Sequence, residues 1–579
     1  MSTHKVITEA PGSGVHWPLG SNRRPAPLLL PNGELVSVEL LARSVTPQHF
    51  SAIGDGIADD TAAIKAVLSS STPTVVLPAG TYRVVGSAAE ILTMSAGKTI
   101  VGDGMGRSII LVEFSDANAG AALSITGSGM NFRDWTLRVD GQSTSQSCMR
   151  FNATSSGHRF TNFEIDGSPS FNGVYVNTIQ GISFSDSASV GDVVFQGCKI
   201  HDVHYGLFTS NAYAGNANDW TFSGCSFYNN TQDDLEFNVL DSTTQRWSRV
   251  RVLGCSFYGW KGDPAMATGG FAIGVDSGQE ITISGNHFNG YVREGVHLED
   301  YLYNVSVIDN TFEGCRFSIT VAHVSSGQVM VSNNRIVGRL AVALDSDPSG
   351  YADPNGTIDN NDIGIYCTNP LSTGSPTGVI VSGNQISRCD VGIYAPVTRG
   401  GQAYNNTIFN CKVGILLPGG ENGSARTRLN RLYLCKYAFW ATAGLMGRNA
   451  IEDCTNIVFG RTGALVFLDG FVFRKRATNF AGSTTADWPI MAVSRIANGK
   501  LGVHAKSGGN WATGGVSADY DGTTLTTTRN NYVASGIVAI SGTPSVVTGG
   551  TFGLRIQNAG GSALDIEVEV EASGVFVMS

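Results

Sequence analysis

The sequence predicts an all-β protein built as a parallel β-helix. Three observations lead there: a short phrase recurs at the spacing of one helical coil, glycine is abundant at 72 of 579 residues, and long helical periods are nearly absent. Each coil of such a fold contacts only its neighbours, so a chain of this length need not divide into several ordinary domains.

The phrase first reads FQGCKI and returns as FSGCSF, VLGCSF, ISGNHF, VIDNTF, VSNNRI, IDNNDI, VSGNQI, AYNNTI, TRLNRL and GRNAI. Its landmarks are Cys198, Cys225, Cys255, Asn286, Asn310, Asn334, Asn361, Asn384, Asn406, Asn430 and Asn449, spaced 19 to 31 residues apart. Asn at this place suits a tight or left-handed turn and can stack on the Asn of the next coil. Five positions later stand Cys315, Cys389, Cys411, Cys435 and Cys454, a repeated inward slot in which a free thiol packs as a small hydrophobe. The ten cysteines include no C-x2-C pair, so a core ladder is expected rather than metal ligation or a disulfide framework.

At the front, residues 45–70 end in an amphipathic helix capped by Asp59 or Asp60, followed by VVLPAGTYRV and TIVGDGMGRSII. Gly102, Gly104 and Gly106 mimic a dinucleotide loop, but no βαβ unit follows them. Residues 1–44 are rich in Pro and Gly and read as an attachment arm. After about 465 the phrase stops, and alternating segments such as GIVAIS, FGLRIQ and LDIEVEVE predict a separate antiparallel β-domain. The expected division is therefore 1–44, 45–465 and 466–579.

A net charge of -9 without a Lys/Arg run argues against nucleic acid or an anionic membrane surface as partner. The first thirty residues lack the order of a secretory signal and no apolar run approaches a membrane span, so folding in the cytoplasm is expected.

The phrases GDG-x-x-DDTAAI and L-P-x-G-x-Y resemble the opening of the pectate-lyase-3 type of right-handed parallel β-helix found in bacteriophage tailspikes. The resemblance spans roughly 45 to 465. It implies that the helix plugs the open end of the coil stack and that Asp55, Asp59 and Asp60 are structural. It also implies a virion protein acting at the bacterial surface: a homotrimer attached to the phage tail or baseplate through its N-terminal arm, which binds and depolymerises a surface polysaccharide. The C-terminal domain would serve trimerisation or glycan binding. Neither metal nor cofactor is implied.

A strand follows each landmark turn by about ten residues: GLFTSN, DLEFNV, GFAIGV, GVHLED, RFSITV, GIYAPV and GILLPG. Strict alternation turns Leu235, Phe237, Phe271, Ile273, Val296 and Leu298 inward. It turns Glu236, Asn238, Ala272, Gly274, His297 and Glu299 outward. Carboxylates then gather on three consecutive coils, with Glu236 and Glu299 flanking a floor at Ala272 and Gly274, and Asp276 ending the middle strand near Glu299. Arg293 and Glu294 fall in the preceding turn and Asp300 begins the next. Tyr258, Trp260, Tyr291, Tyr301 and Tyr303 occupy nearby turns, where aromatic faces suit the apolar faces of sugar rings.

The candidate catalytic residues are thus Glu236, Asp276 and Glu299, and the candidate substrate-binding residues are His297, Asn238, Gly274, Trp260, Tyr291 and Tyr301. Glycoside hydrolysis needs a protonated acid and a carboxylate about 6.5 to 9.5 Å apart for inversion, or about 5 to 5.5 Å for retention. Glu236 and Glu299 stand two coils apart, about 9.6 Å by rise alone, which fits inversion; Asp276 with Glu299 is the tighter pair. Asp345 and Asp347 form a second candidate, flanked by Ala341 and Ala343. A polysaccharide lyase remains open through Arg293 and the Asp233-Asp234 pair, and so does a receptor-binding spike without catalysis.

Overall fold

The computed structural model describes residues 44–454, except for 88–89, 96, 142–144, 168–178, 242–246, 260–269, 323–327, 340–361, 368–377, 395–400 and 418–425. It also describes short strands at Leu28–Leu29 and Leu35–Val36 and, without side chains, strand paths between 456 and 578; the side chains of 441–446 are likewise left aside.

Each coil places one strand before the landmark, one just after it and one about ten residues later. Thr282–Ser284 lies parallel to Arg251–Leu253, His287–Asn289 to Ser256–Tyr258, and Glu294–Tyr303 to Phe271–Gln279. Repetition of these three pairings makes a parallel β-solenoid with three walls. The core is the inside of the coil, and it holds stacked columns of like residues. Phe227, Phe257, Phe288 and Phe312 stack at centroid distances of 4.8, 4.9 and 4.5 Å. All ten cysteines are buried and none is in a disulfide.

The landmark asparagines form a hydrogen-bonded ladder. Asn286 donates its backbone N–H (2.9 Å) and its Nδ2 (3.0 Å) to Oδ1 of Asn310, and Nδ2 also donates to the Val252 carbonyl at 2.9 Å. The pattern continues through Asn310, Asn334, Asn384, Asn406 and Asn430 to Asn449. The left-handed backbone belongs to the residue before the landmark instead: φ is 66° at Gly285, 56° at Asp309 and 57° at Asn333. Asn334 bonds directly to Asn384, 50 residues on, and Val329–Ser332 pairs with Val379–Ser382. The rung after Asn334 is therefore Asn384; Asn361, whose phrase also matches, lies outside the described residues.

At the front, the helix Thr61–Ser69 buries Ala63, Ile64, Val67 and Leu68. Asp60 occupies its N-cap position, but its carboxylate accepts the N–H groups of Ile53 (2.8 Å) and Gly54 (3.1 Å). Asp59 accepts the N–H of Thr61 at 2.9 Å, and Asp55 those of Ile57 and Ala58, both at 2.8 Å. All three acids thus hold the loop that leads into the helix. At the far end, Ala450–Glu452 pairs in parallel with Val472–Arg474, while the long strand Asn456–Phe480 pairs antiparallel with Leu564–Met578.

Removing one rung tests the ladder. Asn384→Ala removes the acceptor of the Asn334 backbone N–H and of one Nδ2 hydrogen, the other still donating to the Val307 carbonyl, and should cost about 1–3 kcal/mol per orphaned donor, read as a lower denaturation midpoint.

Candidate active site

From Phe271 onward, pairing along the third wall passes over one residue in each described coil. Phe271 pairs with Glu294 and Ile273 with Val296; next, Glu294 pairs with Phe317 and Val296 with Ile319. The skipped positions are Ala272, Gly295, Ser318, Gly364, Gly392 and Gly414, all small and buried. A Cβ on Gly295 would stand 2.6 Å from the Ser318 carbonyl oxygen. The chain turns a corner here, so residues three apart face the same outer side, whereas in a flat strand they would face opposite sides.

Downstream coils fill these two outer columns with apolar residues. Ile363, Val391, Val413 and Tyr437 join Tyr394, Leu416 and Trp440 in a buried cluster separate from the core. In the coils between 233 and 300 the same columns hold Asp233 with Glu236, Phe271 with Gly274, and Glu294 with His297. Ala272 is consequently buried at the corner, and Phe271, expected inside, is half-exposed on the outer side. A strict two-residue period cannot anticipate a corner.

Glu236 lies across Gly274, its Oε2 only 2.5 Å from where a Cβ would stand. That oxygen is enclosed and receives no hydrogen bond from a donor. Gly274 is therefore the seat of a carboxyl group and not an open floor. Burial first, then the charge of Asp233, push Glu236 well above the usual carboxylate range, against an opposing hydrogen bond from Asn238. Burial raises Asp233 to about 6, although it accepts the Phe271 N–H. Two carboxyl groups in contact cannot both ionise cheaply, so the pair holds one proton between them.

His297 sits between two carboxylates. Nδ1 is 2.5 Å from Glu294 Oε2 and Nε2 is 3.1 Å from Glu299 Oε2, while the ring stacks on Phe271 at 4.6 Å. Burial lowers its proton affinity, but the bonds to Glu294 and Glu299 outweigh burial and hold it up at about 10. It is an imidazolium at neutral pH. The Arg293 guanidinium lies 4.7 Å from the Phe271 ring centre.

A β-bulge positions the remaining acids. Val275 pairs with Leu298, but Ser277 pairs with Tyr301, which leaves one extra residue in the strand Glu294–Tyr303, where Asp300 adopts φ 58°. Glu299 and Asp300 both oppose Asp276 as a result. Burial, then Asp300, raise Asp276 to about 7, with Glu299 a smaller contributor. Its main carboxyl partner is thus Asp300, not Glu299 as coil spacing had suggested, and Asp300 belongs to the strand, not to the next turn.

The aromatic candidates fare differently. Tyr291 is buried and donates to Asp234, so it does not face the site. Tyr258 stands on another wall beside His287, and Tyr301 is half-buried beyond the bulge. Trp260, Asp345 and Asp347 lie outside the described residues. The rings that do border the acids are Tyr205 and Phe208, 4.5 Å apart, with Phe208 paired to Glu236. Glu294, Phe271, Tyr205 and Phe208 are site residues that the alternation does not single out, and Asp233, which the sequence offers only to a lyase, is the partner of Glu236. A signal existed: D-x-x-E at 233–236 and E-x-x-H at 294–297 share one spacing.

A second ionic cluster shows what a structural one looks like. Among the described residues, the grouping with metal-ligand spacing is Asp166, His201 and Asp202. With Glu164 these make three carboxylates facing Arg138, Lys199 and His201, and each acid is bonded: Glu164 by Thr136 at 2.6 Å, Asp166 by Arg138 at 2.7 Å and Asp202 by His201 at 2.6 Å. Charge balances there. At the third-wall site, Asp233, Glu236, Asp276, Glu294, Glu299 and Asp300 outnumber Arg293 and His297, the cations seen acting on them among the described residues, and raised carboxyl groups offset part of the difference.

The sequence profile described as rhamnogalacturonase A/epimerase, pectate lyase-like, matches residues 42–341, over half of the chain and all of this site. The chain belongs to this pectate lyase-like family. A second profile, periplasmic copper-binding protein (NosD), matches 265–433, and the one metal-spaced grouping among the described residues falls outside that span. Mannuronan C5-epimerases of Azotobacter vinelandii are similar: AlgE1 is 27% identical over 269 residues, covering 44% of this chain and 18% of that protein, and AlgE5 is 30% identical over 206 residues, covering 34% and 20%. The chain thus spans about a fifth of the length of these relatives. Among solved structures, the tailspike protein of E. coli bacteriophage HK620 in complex with pentasaccharide is 13% identical, with a TM-score of 0.43, covering 94% of this chain and 96% of that one.

The raised carboxyl of Glu236 has a stability consequence. Its proton affinity is higher folded than unfolded, so folding becomes costlier as pH rises above the ordinary Glu value. Glu236→Gln, which cannot ionise, should melt higher than the wild type by a margin that grows from pH about 5 to about 8. A margin independent of pH would contradict the assignment.

Proposed function

We propose that the chain is a bacteriophage tailspike that binds and depolymerises a bacterial surface polysaccharide by glycoside hydrolysis. The carrying observation is the Asp233–Glu236 pair, in which burial and the neighbouring acid hold the Glu236 carboxyl well above the usual carboxylate range, two coils from Glu299 on the same outer wall. Glu236 acts as general acid toward the leaving glycosidic oxygen. Glu299, bonded to the His297 imidazolium, acts as base toward water on the opposite face of the sugar. Two steps of about 4.8 Å suit the inverting geometry. Asp276 with Asp300, Asn238 and Gly274 frames the site, and Tyr205 and Phe208 supply the apolar wall for a sugar ring. Residues 1–44 are read as the arm that attaches to the tail, and 466–579 as the trimerisation or glycan-binding domain of a homotrimer at the virion surface.

The likeness to mannuronan C5-epimerases favours a second reading, proton abstraction from a uronate followed by elimination or epimerisation. That chemistry needs a base that takes a proton from carbon, and His297, held as an imidazolium at about 10, does not serve as that base at neutral pH.

Incubation with the host's own polysaccharide should release new reducing ends without the ultraviolet absorbance of an unsaturated product; such absorbance would establish the lyase instead. Glu236→Gln and Glu299→Gln should each cost roughly 10² to 10⁴ in rate with assembly intact. Asp233→Asn removes the charge that raises Glu236 second only to burial, so the alkaline limb of the pH–rate profile should move to lower pH.

A further inference from the structure

We propose that Glu294 is a positioning residue for the reaction at this site: it fixes the His297 ring through Nδ1 at 2.5 Å, so that Nε2 is aimed at Glu299 at 3.1 Å. The proposal rests on the reading of Glu299 as base. Two observations carry it independently of any titration. The first is place. Glu294 is buried in a column that continues as Phe317, Ile363, Val391, Val413 and Tyr437, where an apolar side chain would pack without losing hydration. A buried acid in an apolar column costs stability unless it is paired, and its partner is His297. The second is geometry. Glu294 and His297 meet across three residues of extended chain only because the backbone turns at Gly295, whose hydrogen points at the Ser318 carbonyl where no side chain fits.

The clamp works by direction and charge. With Nδ1 committed to Glu294, only Nε2 remains to face Glu299, and an imidazolium donor there favours the ionised form that activates water. The ionisable groups around it are Glu294, Glu299 and Asp300 on its own strand, Glu236 from two coils before, Asp276 across the bulge, and Arg293 over Phe271; the following coil pairs uncharged Thr320 with His297 and carries Arg316 over Phe317. Held at about 10, His297 contributes stability that is complete below its unfolded value of 6.5 and is lost as pH rises through 10.

The test uses full-length protein carrying ¹³C-labelled histidine, with the His297 signal assigned by its disappearance in His297→Ala. In the wild type that signal should stay imidazolium from about pH 6 to about pH 9, and in Glu294→Gln it should titrate within that range. In the pH–rate profile, Glu294→Gln should lower kcat at least about tenfold, leave KM nearly unchanged and move the acid limb upward, and Glu294→Asp should restore both features. A wild-type His297 that is already neutral at pH about 7, or one that titrates identically in Glu294→Gln, overturns the clamp. If Glu294→Gln does not fold, the wild-type and Glu294→Asp titrations still decide. Full activity in Glu299→Gln alongside the expected titrations would instead remove Glu299 as base and leave the clamp standing.

Discussion

The site depends on one backbone feature, the corner that each coil turns at a small residue on the third wall. A flat strand sends residues three apart to opposite faces, so neither Asp233 with Glu236 nor Glu294 with His297 could meet on one. The corner at Ala272, Gly295, Gly364, Gly392 and Gly414 brings them together and repeats up the solenoid in register. Register in turn is held by the asparagine ladder, in which every rung satisfies donors of the rung before it. Misplacing one coil by a residue would break both.

The same corner carries two different chemistries, and sequence alone selects between them. Downstream, its outer columns are apolar and pack with Tyr394, Leu416 and Trp440 into a second small core. Between 233 and 300 they also hold Asp233, Glu236, Glu294 and His297, and there the acids outnumber the cations among the described residues. Glu164, Asp166 and Asp202 elsewhere are matched by Arg138, Lys199 and His201, as a network selected for stability should be. The third-wall acids are matched by each other and by retained protons, an arrangement that weakens folding and becomes intelligible if the protons are used. Perturbed carboxyl groups in unbalanced surroundings are the physical mark that separates the two clusters.

Much of this could be read from the letters. The recurring phrase fixed the landmark, the inward columns and the identity of the coils that carry acids, because apolar alternation and coil spacing are local properties. What escaped were features set by neighbours in space. Asn361 sits in a phrase as good as any other, yet the ladder joins Asn334 to Asn384, since only hydrogen bonding between coils decides which asparagine is a rung. Alternation alone puts Glu294 in a turn, Asp300 at the start of the next turn and Phe271 in the core, because a period of two has no place for a corner or a bulge. Tyr291 looked like a sugar platform, but its hydroxyl is committed to buried Asp234.

Membership in a pectate lyase-like family does not by itself choose a reaction, because a β-helix wall presents side chains at nearly fixed spacing and leaves the chemistry to their protonation. An elimination or epimerisation site must neutralise a uronate and accept a proton from carbon. A hydrolytic site must donate a proton to oxygen and activate water. Here the raised carboxyl groups favour holding a proton, with Glu236 pushed far up and Asp276 raised to about 7, while the His297 imidazole already carries its second proton. An extra anion would have to approach six carboxyl groups, and of the cations described beside them, Arg293 and His297, the second is already shared by two acids. The distribution of protons, more than the shape of the fold, therefore weighs toward acid-assisted cleavage of a glycosidic bond.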